Sequence, residues 1–126
     1  MIVGGKITAV EGKKMKEENP KGLSINISLT DVKTKEDTVE VEYVYTASYP
    51  EGVGELIIKG IMYAKEDKKL VKKIEDEWKK SKKVPEEYAE LLLSAINYSG
   101  SANGTLLARV LNMSPPLFPP KLSLKK

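Results

Sequence analysis

From Thr38 to Tyr49 every second position is Val39, Val41, Tyr43, Tyr45, Ala47 and Tyr49, and the positions between include Glu40, Glu42, Val44 and Thr46. A period of two places these sets on opposite faces of an extended strand, and no helix buries such a pattern on one side. Residues 23–31 repeat it, with Leu23, Ile25, Ile27 and Leu29 on one face and Ser24, Asn26, Ser28 and Thr30 on the other. The polar stretch 31–37 is short enough to be a hairpin connection. Two such strands require a sheet with one dry face and one wet face.

The flanking residues supply two more strands. Residues 2–10 read as a first strand, followed by a polar loop over 11–22 whose Asn19-Pro20-Lys21-Gly22 end is a turn signal. After a turn at 50–54, residues 55–64 carry Leu56, Ile58 and Met62 on one side and Ile57, Ile61 and Tyr63 on the other. Apolar groups on both sides predict a strand that is central in the sheet or covered on both faces. Short polar connections make the four strands antiparallel.

At Ala64 the period changes. Leu70, Val71, Ile74 and Trp78 recur at helical spacing, which predicts an amphipathic helix over 66–80, and Lys79, Lys80, Lys82 and Lys83 suit the negative pole of its dipole. Val84-Pro85-Glu86-Glu87 is a second helix start, with Tyr88, Leu91, Leu92, Ala95 and Ile96 as its buried face. The small-residue run 99–104 interrupts the pattern, and 105–113 resumes it with Leu106, Leu107, Val110 and Leu111. This is one helix with a weak point, or two. The proline pairs at 115–116 and 119–120 end all helical structure, because proline lacks the amide hydrogen and excludes helical geometry from the residue before it. The fold class is therefore α+β, a four-stranded antiparallel sheet followed by C-terminal helices packed on one face, in a single domain over 1–126.

At 126 residues the chain can bury a core, and oligomerisation would be a natural source of further stability. It has neither cysteine nor histidine, which removes disulfides, thiolate chemistry, the usual zinc sites and the side chain that most readily titrates near neutral pH. Asp31, Asp37, Asp67 and Asp76 form no calcium-binding loop pattern. No metal and no cofactor is expected. All but one of the 21 basic residues are lysine, glutamine is absent and 31% of residues are charged, a balance that suggests a thermophile's cytosolic protein. No run approaches a membrane span, and residues 1–6 lack a signal-peptide pattern, so the chain is expected to be soluble and cytoplasmic.

No residue pattern identifies an enzyme. The run 100–105, Gly-Ser-Ala-Asn-Gly-Thr, lacks the spacing and the lysine of a phosphate loop, and it reads instead as a helix break or a site of close helix packing. The acid pairs Glu17-Glu18 and Glu86-Glu87 lie in exposed or helix-capping contexts. The net charge of +3 gathers in residues 65–83, which hold nine lysines and five acids. Lys68, Lys69, Lys72, Lys73, Lys79 and Lys80 offer a surface for nucleic-acid phosphates, but the interleaved acids favour a solvated face. Function must then rest on apolar surface. Tyr43, Tyr45 and Tyr49 are core under a helix or a face for apolar segments, since tyrosine gives contact area with a polar tip. Leu117 and Phe118, bracketed by prolines, form a rigid extended segment that docks at little entropic cost.

The tail carries a resemblance. Residues 103–109, Asn-Gly-Thr-Leu-Leu-Ala-Arg, followed by Pro116-Leu117-Phe118-Pro119-Pro120-Lys121-Leu122, resemble the last long helix and the Phe-Pro-x-Leu stretch of the SecB-type export chaperones. With the order of elements, the resemblance spans residues 20–122. It implies a cytosolic homo-oligomer, dimer or tetramer, that holds unfolded polypeptides in apolar grooves between sheet and helix without nucleotide. Carried onto this chain, the groove involves Val41, Tyr43, Tyr45 and Tyr49 of the third strand, Leu106, Leu107 and Val110 of the helix, and Leu117 with Phe118. Two departures stand out. The basic helix over 66–80 is not a family feature at this place and is positioned to cover the groove. The terminus 122–126 lacks the cysteine- and histidine-containing tail that contacts the export motor in some members. A general holdase, or a chaperone for one client such as an antitoxin, fits this chain better. The alternatives are a nucleic-acid-binding adaptor and a structural subunit whose apolar surface serves its own oligomer.

Overall fold

A computed structural model of the chain describes residues 1–17 and 22–116. Its elements in order are β1 (Ile2–Lys14), β2 (Ser24–Lys35), β3 (Thr38–Tyr49), a 3-10 turn at Pro50–Gly52, β4 (Gly54–Lys65), α1 (Lys68–Ser81) and α2 (Glu86–Val110). The strands form one antiparallel sheet in the order β1-β4-β3-β2, so the first strand pairs with the last and β1 and β2 are opposite edges. This is the α+β arrangement the periodicity predicts.

The core is the inner face of β3 and what lies opposite it. Val39, Val41, Tyr43, Tyr45, Ala47 and Tyr49 are all buried, facing Ala64, Met62, Gly60, Ile58, Leu56 and Gly54 of β4 across the ladder. Ile27 of β2 completes the layer beside Tyr45. Each large side chain removed from water in this way contributes about 1.5–3 kcal/mol. Strand β2 runs past the expected end at Asp31 because Thr30 is an extra residue in the ladder. That bulge returns Val32 and Thr34 to the inner face. The hairpin connection shrinks accordingly to Glu36 and Asp37, with Glu36 in the left-handed region at φ 56°.

Strand β1 departs from expectation, whereas β4 meets it. The loop expected from residue 11 begins later, because Glu11, Gly12, Lys13 and Lys14 pair with Ile57, Leu56, Glu55 and Gly54. A Gly-Lys-Lys sequence carries no alternation, so only the partner strand reveals it as sheet. Strand β4 is central, as expected, but it is covered on one face alone. Ile57, Ile61 and Tyr63 stay half-buried on the outer face, across from Thr46, Glu42 and Glu40.

Helix α1 begins where Asp67 caps it, its carboxylate accepting the Leu70 amide at 2.8 Å. Val71, Ile74 and Trp78 are its buried stripe, and it packs on β2. Helix α2 is continuous over 25 residues, without a break at 99–104. Its buried face takes Leu93 in place of the expected Leu91, which is exposed. It ends before the prolines, at a terminus set by Asn112. That residue adopts φ 57°, and the amides of Met113 and Asn112 donate to the carbonyls of Ala108 (2.8 Å) and Arg109 (3.2 Å), a Schellman motif. The chain then turns back beneath the helix. Tyr49 donates its hydroxyl hydrogen to the Ser114 carbonyl, and Pro116 is fully buried.

Candidate functional site

Helix α2 approaches the sheet closely because its contact positions lack side chains. A Cβ on Gly100 would overlap the Tyr45 ring, and one on Gly104 would lie 2.7 Å from Pro116 Cγ. The small-residue run is thus a site of close packing, and it seats α2 over β3 and β4. The edge strand β1 is left largely uncovered.

Residues opposite one another in an antiparallel ladder point to the same face. Ile2, Gly5, Ile7, Val10 and Gly12 face Ala64, Met62, Gly60, Ile58 and Leu56, so they belong to the inner, core-bearing face. Yet Ile7 is 38% exposed and Val10 53%, while their neighbour Ile58 is fully buried. Between β1 and α2 lies an open cavity of about 530 Å³. Tyr43 and Met62 are its floor, Ile2 and Ile7 one wall, and Tyr98 with Ser99 and Asn103 the other.

The floor is built by a cross-strand substitution of size. Gly60 has no side chain, and Tyr43 from β3 leans over it toward β1. Burial pushes the Tyr43 phenol above its ordinary value, which the Ser99 hydroxyl partly offsets. The Asn103 amide group donates to the Ser99 carbonyl at 2.8 Å, so the polar lip of the wall is tied to the helix. The cavity therefore presents a mainly apolar interior, with Lys6 of β1 also among the residues that line it.

An exposed apolar stripe continues it. Leu106 and Val110 follow Ser99 and Asn103 by seven residues each, which keeps them on the same side of α2. They are 61% and 83% exposed, and Tyr98 is 81% exposed. Toward the end of the helix Leu111 closes over Gly12 of β1. Chemically this is a groove suited to burying side chains of an extended or helical segment by apolar transfer.

The expected site residues divide into three groups. Tyr43 lines the cavity, and Leu106 and Val110 lie on the stripe beyond it. Val41, Tyr45 and Tyr49 are core, buried beneath α2 and the returning segment, and Leu107 is half-buried against them. Leu117 and Phe118 lie outside the described residues. Ile2, Ile7, Met62 and Tyr98 belong to the groove and were not among the expected residues. A signal for Tyr98 was present, since Leu91, Tyr98, Leu106 and Val110 are apolar residues displaced from the buried stripe of their helix.

Helix α1 does not cover this groove. It packs on β2, the edge opposite β1. Of its six candidate phosphate-binding lysines, Lys72 pairs with Asp76 at 3.4 Å and Lys79 with Glu75 at 3.1 Å. The Lys79 ammonium holds the Glu75 carboxyl below its ordinary value. Among the described residues no group of three or more acidic side chains is placed to hold a metal ion, and no helix is long and apolar enough to cross a membrane. What the fold and site define is an α+β chain with an open apolar groove between an edge strand and a long helix. Compared with family models, with curated proteins and with solved structures, this chain matches none.

Proposed function

We propose that this chain is a nucleotide-independent holdase of the SecB-like kind, which keeps non-native polypeptides from aggregating by burying their apolar stretches in the groove between β1 and α2. The observation that carries the reading is the open, mainly apolar cavity over Tyr43 and Met62, walled by Ile7 and Tyr98, with the exposed Leu106 and Val110 further along the same side of α2. Each client side chain fully buried there contributes about 1.5–3 kcal/mol, against an ordering cost of about 0.5–1.5 kcal/mol per immobilised side chain. Net affinity per contact is small, so a client is held through several contacts and released without an energy source.

Light scattering of an aggregating client tests this. Suppression at near-stoichiometric ratios is expected, with loss of suppression in the Leu106→Ser, Val110→Ser double variant. No suppression at stoichiometric excess of the folded protein would sink the proposal.

A further inference from the structure

We propose that the exposed face of α1 is a docking surface for the backbone of double-stranded DNA, bound by charge and without regard to sequence. The apolar stripe Val71, Ile74 and Trp78 fixes which way the helix faces, and Lys68, Lys69, Lys72, Lys73, Lys79 and Lys80 are all exposed. At 3.6 residues per turn these lysines cover an arc of about 140° on the side away from the stripe. Two acids lie within that arc, Glu75 and Asp76, whereas Glu77 falls outside it and is half-buried. The face is therefore strongly positive in spite of the interleaved acids.

The ion pairs leave one row of lysines free. Lys72 reaches Asp76 and Lys79 reaches Glu75, while Lys69, Lys73 and Lys80 have no acidic partner among the described residues. These three follow one another at spacings of four and seven residues, so they share one side of the helix over about 16 Å. Duplex DNA carries about one charge per 1.7 Å of its axis, and a row of that length meets several phosphates in any register.

Folding does not require this arrangement. Asp67 caps the helix, yet no acid occupies the first turn, where Lys68 and Lys69 lie at the positive pole of the dipole. Lys68 with Lys72, and Lys69 with Lys73, are like charges one turn apart. Both placements weaken an isolated helix, and both become favourable once phosphates lie against the face.

What the face lacks narrows the partner. No apolar or aromatic side chain of α1 is exposed. A lipid surface takes up a helix through such groups, and single strands are held by stacking on them. Nor does α1 carry arginine, asparagine or glutamine to read base edges, which leaves its lysines to the phosphates. The wide major groove of DNA admits a helix, whereas that of an RNA duplex is too narrow. Because α1 packs on β2, the edge opposite the β1 groove, DNA and a client would occupy separate surfaces. Failure of either experiment leaves the other's result intact.

Fluorescence anisotropy of a short labelled duplex, titrated with the full chain at several salt concentrations, tests the proposal. Binding is expected, with a slope of log affinity against log salt of about −3, one phosphate for each lysine of the row. Lys73→Ala should reduce that slope by about one. The triple variant Lys69→Glu, Lys73→Glu, Lys80→Glu should bind at least about tenfold more weakly at physiological salt, with its circular dichroism unchanged. A control, Lys6→Glu, Lys13→Glu, Lys59→Glu, alters net charge equally at exposed positions of β1 and β4 and should stay within about threefold of the parent, since salt screens distant charges. No binding at low salt, an equal loss in both triple variants, or an unchanged slope in Lys73→Ala would overturn the proposal. So would tighter binding to an RNA duplex, a single strand, polyglutamate or anionic vesicles, each of which would assign the face to another partner.

Discussion

The Tyr45 ring lies directly against the backbone of α2 at Gly100, so close that no Cβ fits between them. Gly100→Ala should therefore destabilise the protein by about 1–3 kcal/mol through overpacking. Helix propensity alone predicts the opposite sign, a gain of about 1 kcal/mol. The direction of change in the denaturant midpoint decides between them, and a more stable variant would show that α2 is not seated on Tyr45.

Leu106 and Val110 make the reverse case. Both are exposed, so replacing them with serine should move stability by no more than about 0.5 kcal/mol. If they line the client groove, client holding should nevertheless fall. Thermal unfolding and light scattering on the same preparation separate the two effects. A large loss of stability would mean that these side chains pack against more than solvent.

Alkaline pH should unfold the chain through its buried tyrosines. Burial pushes the Tyr49 and Tyr88 phenols from 10.0 up to about 12, helped by the neighbouring Tyr45 and the Glu66 charge respectively. The folded state thus holds these protons where the unfolded state releases them. Their contribution is complete below pH 10 and is lost as the pH rises toward about 12. Tyrosinate absorbance and far-ultraviolet circular dichroism should change together across that window. Full tyrosine ionisation well before unfolding would contradict the assigned burial.

Asp67 accepts the Leu70 amide at the start of α1, and Asp67→Ala should lower stability by about 0.5–2 kcal/mol. Because α1 packs on β2 and not beside the groove, client holding should persist at temperatures where the variant remains folded. Loss of holding without loss of structure would connect α1 to the site.

Much of this molecule is legible in local pattern. The alternation in β3 names its buried face residue by residue, and the stripe Val71, Ile74 and Trp78 names that of α1. Legibility fails where the cause is distant. Gly12, Lys13 and Lys14 become sheet only because β4 offers them partners, and Tyr45 is hidden only because Gly100 lets a helix down onto it. Of the expected groove residues, Tyr43, Leu106 and Val110 lie at the open cavity or on its extension, while Val41, Tyr45 and Tyr49 are core. Alternation reports which side of a strand is inward, but not whether anything covers that side.

Local pattern alone therefore settles that a four-stranded antiparallel sheet precedes C-terminal helices, and which side chains of β3 face the core. Such patterns arise from burial within each element, which a short window of sequence records. The pairing of β1 with β4, the seating of α2 over β3 and β4, and the bare inner face of β1 were decided in three dimensions. They depend on which remote segments meet, and no local period encodes that. The groove exists because of those choices, with two glycines drawing the helix toward the middle of the sheet and leaving its edge open.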